Sequence, residues 1–391
     1  MGSSMNITDS IAYMGVNDHD IDLFEGQYDV RENGMSYNSY VVLGSEKVAV
    51  TDTVDGHFVD EWLANVEAAL AGRTPDYLVV HHMEPDHSAG IAAFAERYPE
   101  AQIVASAMAF KMMAAYFGTD FADRRVIVKE GSTLELGDRS LTFVGAPNVH
   151  WPEVMFSYVP EDKVLFSADG FGKFGALDVE DPEGWACEAR RYYFGIVGKF
   201  GKNVQAVLKK AAGLDIEHIC PLHGPVLSEN PGYYLGLYNT WSSYEPEGEG
   251  VTIAYSSVYG HTRDAALALA EALEKRGQTV AVFDLARDDM AEAVESAFQY
   301  DRLVLASITY AGGIFPHMST FIHTLAEHAY QRRTVALVES GTWAPMAAKV
   351  MRGELEGMKD IAVAENVVTV RGALDDASRA QIEALADELS K

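Results

Sequence analysis

An α/β protein of two domains is what this sequence predicts, the second domain being a doubly wound parallel sheet of five strands. Three features point there. At 391 residues the chain exceeds what one ordinary core accommodates and suits two. Extended apolar runs alternate with helical periodicity along its whole length, most regularly after residue 250. Between the halves lies Glu245-Pro246-Glu247-Gly248-Glu249-Gly250, an acidic Pro/Gly segment that reads as a linker over 245–250, placing the domains at 6–244 and 251–391. Met1-Gly2-Ser3-Ser4-Met5 reads as an appended leader and takes no part in the fold reasoning.

The first domain opens with two β-rich runs over 37–54 around Gly44-Ser45-Glu46, a hairpin pattern. Residues 58–70 carry Phe58, Trp62, Val66 and Leu70 at helical spacing, and Gly72-Arg73-Thr74-Pro75 ends that helix before the strand Tyr77-Leu78-Val79-Val80. The strand runs into His81-His82-Met83-Glu84-Pro85-Asp86-His87, with three imidazoles and two carboxylates in seven residues. Such groups at the end of a buried strand carry uncompensated desolvation costs unless a cation meets them, so this loop reads as a metal site. A helix over 89–97, a strand over 102–105, a helix over 106–117 and short strands over 126–144 follow.

Three more strand ends then present ligand-type residues. The run 141–144 leads to His150 in Ala146-Pro147-Asn148-Val149-His150-Trp151-Pro152, 164–166 leads to Asp169, and 216–220, after a mostly helical stretch over 185–212, leads to His223. Any one of these alone suits a hydrogen-bonded core or capping residue. Their recurrence at one structural position, the carboxyl end of a strand, suits a shared metal centre.

In the second domain, strands are expected over 251–255, 279–283, 303–306, 334–338 and 367–370, with helices over 262–276, 290–298, 318–328 and 375–389. The first turn, Ser256-Ser257-Val258-Tyr259-Gly260-His261-Thr262, offers hydroxyls and free amides at a helix start, which suit a phosphate monoester. Neither Gly-x-Gly-x-x-Gly nor Gly-Lys-Thr/Ser occurs there, which argues against dinucleotides and nucleoside triphosphates. The third and fourth strands end in Ser307-Ile308-Thr309-Tyr310-Ala311-Gly312-Gly313 and Ser340-Gly341-Thr342-Trp343-Ala344. Glycines there let backbone groups reach a flat ring while Tyr310 or Trp343 stacks on it, so the three turns together suggest flavin mononucleotide, FMN. Ordinary βα loops use the same residue types, and it is the register of three that favours the flavin.

Composition narrows the partners. Lys and Arg total 30 against 58 Asp and Glu, and the resulting charge of −28 argues against nucleic acid and anionic membrane surfaces. No uninterrupted apolar run approaches the roughly 18 residues of a membrane span, and no basic-then-apolar leader is present, so the cytoplasm is the expected compartment. Cys187 and Cys220 stand far apart, so a thiolate centre of the rubredoxin kind cannot be built within this chain.

Taken together, both halves resemble the flavodiiron proteins, or A-type flavoproteins, across about residues 13–389. The resemblance implies a metallo-β-lactamase-like αββα sandwich followed by a flavodoxin-like domain. Hydrolases of the metallo-β-lactamase superfamily carry a His-x-His-x-Asp-His loop, whereas here it is His82-x-Glu84-x-Asp86-His87. The exchange leaves four histidines and three carboxylates, a harder and more anionic shell better suited to iron or manganese than to zinc. By similarity, one iron takes His82, Glu84 and His150, the other takes Asp86, His87 and His223, and Asp169 bridges them. Gly34-Met35-Ser36-Tyr37-Asn38-Ser39-Tyr40 and His150-Trp151-Pro152 are further stretches similar to the family, and Tyr192 resembles a tyrosine that can donate a hydrogen bond to a bound oxygen species. Glu25, where some relatives have a histidine, and Ile308, where proline is common, depart from the pattern.

The resemblance implies reduction of O2 to water, of NO to N2O, or of both, with electrons passed through FMN to a non-haem diiron site. It also implies a head-to-tail homodimer or dimer of dimers and an external electron donor such as rubredoxin or a flavin reductase, for which Arg332-Arg333 offers a local basic patch. The rival reading is a zinc-dependent hydrolase with a flavodoxin-like electron-transfer module. A third is a plain flavodoxin-type carrier whose metal domain is inactive.

Overall fold

Tyr40–Leu43 and Val48–Thr51 pair antiparallel with Val41 opposite Val50, so the first hairpin forms where the β-rich runs and the Gly-Ser turn put it. The computed structural model describes residues 6–391; the expected leader, residues 1–5, lies outside the described residues. From the hairpin the sheet grows on both sides: Ile11–Tyr13 joins Tyr40–Leu43, and Tyr77–Val79, Gln102–Ser106 and Arg125–Val128 add in parallel beyond Val48–Thr51. A second sheet runs Thr133–Glu135, Ser140–Gly145, Met155–Val159, Val164–Phe166, His218–Cys220, its last pair parallel.

The two sheets bury one core between them, in which Val42, Ala49, Val79 and Val104 from the first pack with Phe143, Met155, Val164 and Phe166 from the second. Alternate residues such as Val41, Val50 and Ile103 are also fully buried, because helices such as Val59–Leu70, through Trp62 and Val66, cover the outer face of the first sheet. Such two-sided burial explains why these strands read as continuous apolar runs.

The stretch 185–212, expected to be mostly helical, is so but not as one helix. It divides into Trp185–Tyr192, a wide turn Tyr193–Val197, a tight turn Gly198–Phe200 and Gly201–Ala211. Gly195, Gly198 and Gly201 lower helix propensity through this stretch, and insertions of this kind recur beside functional sites. The strand Met155–Val159 and the helix Ala347–Leu355 lie where no element was expected.

The chain divides into two compact units: one holds the described residues up to Tyr193 with Phe200–Asn239, the other Phe194–Lys199 with Thr240–Lys391. Within the second unit a strand starts at Gly248, inside the segment read as linker. Its five parallel strands run in the order Val280–Asp284, Gly248–Ser256, Tyr300–Tyr310, Arg333–Ser340, Ile361–Val370, a doubly wound arrangement whose switch point lies between Gly248–Ser256 and Tyr300–Tyr310. Gly313–Ile314 pairs back on Tyr300–Tyr310 as a short appendage.

Arg332-Arg333 is not an open basic patch. Arg333 is 2% exposed and donates to the carbonyls of Tyr300 and Tyr244, both at 2.7 Å, and to that of Phe298, while Arg332 pairs with Glu245. A guanidinium carries several donors in a rigid fork and serves here to satisfy carbonyls where helices end and a strand begins, a use that exposure alone reveals.

Candidate metal centre and flavin pocket

Thr51, Val79, Gly145, Phe166 and Cys220 all close strands in the first unit, and the loops after them converge. Asp52 takes a left-handed backbone (φ 52°), and one of its oxygens accepts the His81 N–H at 2.7 Å. His81 itself is bound at both nitrogens, Nδ1 to Asp52 at 2.6 Å and Nε2 to the Ser157 hydroxyl at 2.7 Å, so it faces away from the ligand cluster. Pro85 starts the short turn Pro85–Ser88 that turns Asp86 and His87 inward. The His87 carbonyl is held by the Thr53 amide and hydroxyl, both at 2.8 Å.

The His223 loop is anchored by the stretch 34–40. Asn38 donates to the carbonyls of Pro221 (2.9 Å) and Gly224 (2.7 Å), Tyr40 donates to that of Pro221 (2.7 Å), and the Ser36 hydroxyl accepts the Gly224 N–H (2.7 Å). Gly224 has φ 79°, and a Cβ there would lie 2.5 Å from Lys173 Cγ, so only glycine fits beside this histidine.

Two ligand groups result, His82-Glu84-His150-Asp169 and Asp86-His87-His223, each with its ligand atoms within 4.8 Å of one another. Asp169 faces both: one oxygen lies 2.9 Å from His150 Nε2 and 3.5 Å from His82 Nε2, the other 3.3 Å from His87 Nε2. Glu84 is 3.0 Å from His150 and 3.3 Å from His82, and Asp86 is 3.3 Å from both His87 and His223. These are the seven residues singled out as ligands in the sequence, drawn into one buried cluster.

The chemistry of this set fits cations. The Ser36 carbonyl can only accept, so His223 Nδ1, 2.7 Å away, carries the proton, and in the neutral ring Nε2 presents a lone pair. That lone pair sits 3.0 Å from His87 Nε2, and both oxygens of buried Asp86 lack a hydrogen-bond partner among the described residues. Converging lone pairs and orphaned carboxylate oxygens are costly unless a metal ion or protons lie among them. Without metal, protons take that part. Burial opposes protonation of His82, yet Asp169, Glu153 and Glu84 outweigh it and hold its pKa well above the usual range. For His150 burial is likewise outweighed, here by Asp169 and Glu84, and the pKa rises to about 9. Burial raises the Asp169 carboxyl, but the surrounding imidazoles His82 and His87 pull it well below its ordinary value.

Around the cluster stands an aromatic wall: Tyr192, Phe24 and Tyr37 lie 5.5, 5.3 and 5.9 Å from the His223 ring. The Tyr192 hydroxyl is buried and has no partner among the described residues; burial, then Asp169 and Glu84, hold its pKa well above normal, so it remains a donor. Glu25 is exposed as a residue while its carboxyl lies against Glu84; desolvation and then the charge of Glu84 push its pKa up to about 7. Sequence reading missed Asp52, Glu153 and Ser157 as supports. Asp52 directly follows a strand and was open to the same strand-end argument, whereas Ser157 lies mid-strand with no local signal.

In the second unit a cavity of about 560 Å³ opens at the carboxyl ends of the parallel strands. Ser257, Val258, Tyr259, His261, Thr262, Ile308, Thr309, Ala311, Gly312 and Ser340 to Ala344 line it, as do Met346 and Gly372, which were not anticipated. Gly372 follows the fifth strand, so the strand-end argument could have included it. Ser256, Gly260, Ser307, Tyr310 and Gly313 lie outside the lining. Gly260 (φ 96°) opens the helix His261–Glu274, Ser307 accepts the Phe315 N–H at 3.3 Å, and Tyr310 packs edge-on against Phe315. Cross-links hold the walls: Thr262 to Ser340 between hydroxyls at 2.7 Å, and Thr309, which accepts the Met346 and Ala347 amides at 2.9 and 3.2 Å. No lining residue is Asp, Glu or Lys, so a phosphate there would be met by hydroxyls, amides and His261. Trp343 is 85% exposed and Tyr259 88% exposed, leaving both rings available to cover a flat ligand.

Fold and site together define a protein in which a metallo-β-lactamase-like domain with two adjoining groups of potential metal ligands precedes a flavodoxin-like domain with a flavin-sized cavity. Comparison with known proteins agrees. The profile of the ODP family beta lactamase matches residues 35–224 and that of the flavodoxin domain matches 252–378. A nitric oxide reductase of Moorella thermoacetica is 30% identical over 95% of this chain and 94% of its own length. A coenzyme F420H2 oxidase of Methanothermobacter marburgensis is 31% identical over 84% and 83%. The rubredoxin oxygen:oxidoreductase of Desulfovibrio gigas superposes with TM-score 0.91 at 25% identity, covering 99% of this chain and 98% of that one. This chain belongs to the flavodiiron protein family.

Proposed function

We propose that this enzyme reduces O2 to water, NO to N2O, or both, at a non-haem diiron site fed by FMN. The observation that carries the reading is the placement of Asp169, one oxygen toward each histidine-carboxylate group, with Glu84 where a zinc hydrolase loop has an imidazole. His82, Glu84 and His150 would hold one iron, Asp86, His87 and His223 the other, and Asp169 both. Ser257 to Thr262, Ile308, Thr309, Ala311, Gly312 and Ser340 to Ala344 would hold FMN, with Trp343 over the ring. When bound, two ferrous ions and a reduced flavin supply the four electrons that take O2 to two waters, or the two that take a pair of NO molecules to N2O and water.

The chain's own residues do the rest. Phe24, Tyr37, Phe174 and Tyr192 exclude bulk water from the cluster, so partly reduced substrate is retained. Tyr192, kept protonated, donates a hydrogen bond to whatever small oxygen species lies beside His223.

The same reading assigns an external donor, a rubredoxin or a flavin reductase, and a head-to-tail homodimer or dimer of dimers in which one copy's flavin serves its partner's irons. It divides the chain into a diiron domain over 6–244, a connecting segment over 245–250 whose last residues already open the strand Gly248–Ser256, and an FMN domain over 251–391, and places the enzyme in the cytoplasm, which cell fractionation checks. No helix among the described residues is long and apolar enough to cross a membrane. The deciding experiment is metal and flavin analysis with anaerobic kinetics of both gases on chemically reduced protein. About two irons and one FMN per chain with consumption of either gas support the proposal; zinc with thioester or lactam hydrolysis favours the hydrolase, and flavin without gas consumption the carrier.

A further inference from the structure

The two ligand groups contribute alike to a first approximation, one carboxylate each, Glu84 or Asp86, and a share of Asp169. They differ in what stands behind their imidazoles. His82 Nδ1 lies 2.8 Å from Glu153 Oε1, which also accepts the Met83 N–H at 2.9 Å. Glu153 is 3% exposed, and its second oxygen has no hydrogen-bond partner among the described residues, so within the site its carboxylate is committed to His82 and the Met83 amide. In the other group His223 is backed only by the Ser36 carbonyl, and buried His87 Nδ1 has no partner among the described residues.

A carboxylate behind an imidazole fixes its tautomer, makes the far nitrogen a stronger donor to a cation and adds a negative charge in a water-poor interior; a carbonyl does the first of these and little of the others. We infer that the two metal positions are unequal: the one facing His82, Glu84 and His150 fills first and binds a divalent ion more tightly, with Glu153 as the positioning residue responsible. The inference rests on the two-metal reading given above. Glu25 reaches the same group through Glu84, and its contribution is separable by substitution.

The test is a titration of the full chain, FMN retained and metal removed by chelation, with Co2+, followed by its visible absorption. Wild type takes up two ions per chain in two separated steps. Asp86→Asn retains the tight step and loses the weak one. Glu153→Gln weakens the tight step about 10–100-fold, the usual effect of losing such a partner, so that the two merge, and Glu25→Gln leaves the order of filling unchanged. Because the flavin cavity and the substituted residues lie in different compact units, a cooperative thermal transition and a far-ultraviolet circular dichroism spectrum matching wild type show that each variant is folded, and if Glu153→Gln is not, wild type and Asp86→Asn still decide. Two equal steps in wild type, loss of the tight step in Asp86→Asn, or an unchanged Glu153→Gln would overturn the inference. Uptake of fewer than two ions by wild type would instead remove the two-metal reading beneath it.

Discussion

Glu84 shows how much one residue decides. Its carboxylate sits 3.0 and 3.3 Å from His150 and His82, in the place an imidazole holds in the zinc-hydrolase loop, and in the proposed centre it would harden the donor set toward iron. Glu84→His is expected to shift metal content from iron toward zinc and to abolish gas reduction; elemental analysis and an oxygen electrode measure both, and a variant that kept iron and turnover would remove Glu84 from this role. Protons compete with metal at the same atoms. The His150 pKa of about 9 without metal, raised from an ordinary value near 6.5, means that a metal ion must displace a proton at neutral pH. Apparent metal affinity of metal-free protein therefore rises with pH up to about 9, and a flat profile by calorimetry would contradict the protonated cluster. The sign for stability is opposite. A histidine raised in the fold contributes stability that is complete below about 6.5 and lost as pH climbs through about 9. The Tm of metal-free protein should fall across that window, while loaded protein, its imidazoles already deprotonated, should not follow.

At the scale of elements, the site is built from strand ends, and the loops after them are held by hydroxyls and amides instead of by their own secondary structure. Thr309 lies one residue before the end of the third parallel strand and caps the helix Ala347–Leu355 through two amides, so it ties two walls of the flavin cavity together. Thr309→Val keeps the shape and removes the acceptor, which should cost about 0.5–2 kcal/mol as other lost helix caps do. Thermal unfolding should show a Tm lower by a few degrees, and fluorescence titration a weaker FMN affinity. Unchanged FMN binding would mean that this cross-link does not shape the cavity.

For the whole molecule, the proposed head-to-tail dimer makes a prediction that no single chain can satisfy. His82→Ala removes a metal ligand, and Gly341→Leu obstructs the flavin cavity, where a Cβ would already lie 3.2 Å from Pro345 Cα and Thr309 Oγ1. Each variant alone should be inactive, and a mixture refolded together should regain gas reduction, because one hybrid interface pairs an intact flavin with an intact metal cluster. No recovery, with mixed dimers demonstrated by mass spectrometry, would place electron transfer within one chain.

The sequence by itself determined the alternation of strands and helices, the recurrence of ligand-type residues at four strand ends, the three turns proposed for the flavin, and the family. Those features are local: an apolar run, the residue that ends it and the glycine that turns it are neighbours in the chain. Only the tertiary structure decided which residues stand behind the ligands. His81 finds Ser157 76 residues away, His82 finds Glu153 71 away, and His223 finds the Ser36 carbonyl 187 away. It also turned Arg333 from an exposed charge into a buried clamp on carbonyls and set where the mostly helical stretch before Gly201 is interrupted. Hydrogen-bond partners are set by which loops the sheets bring to one end, and neither periodicity nor residue spacing carries that information.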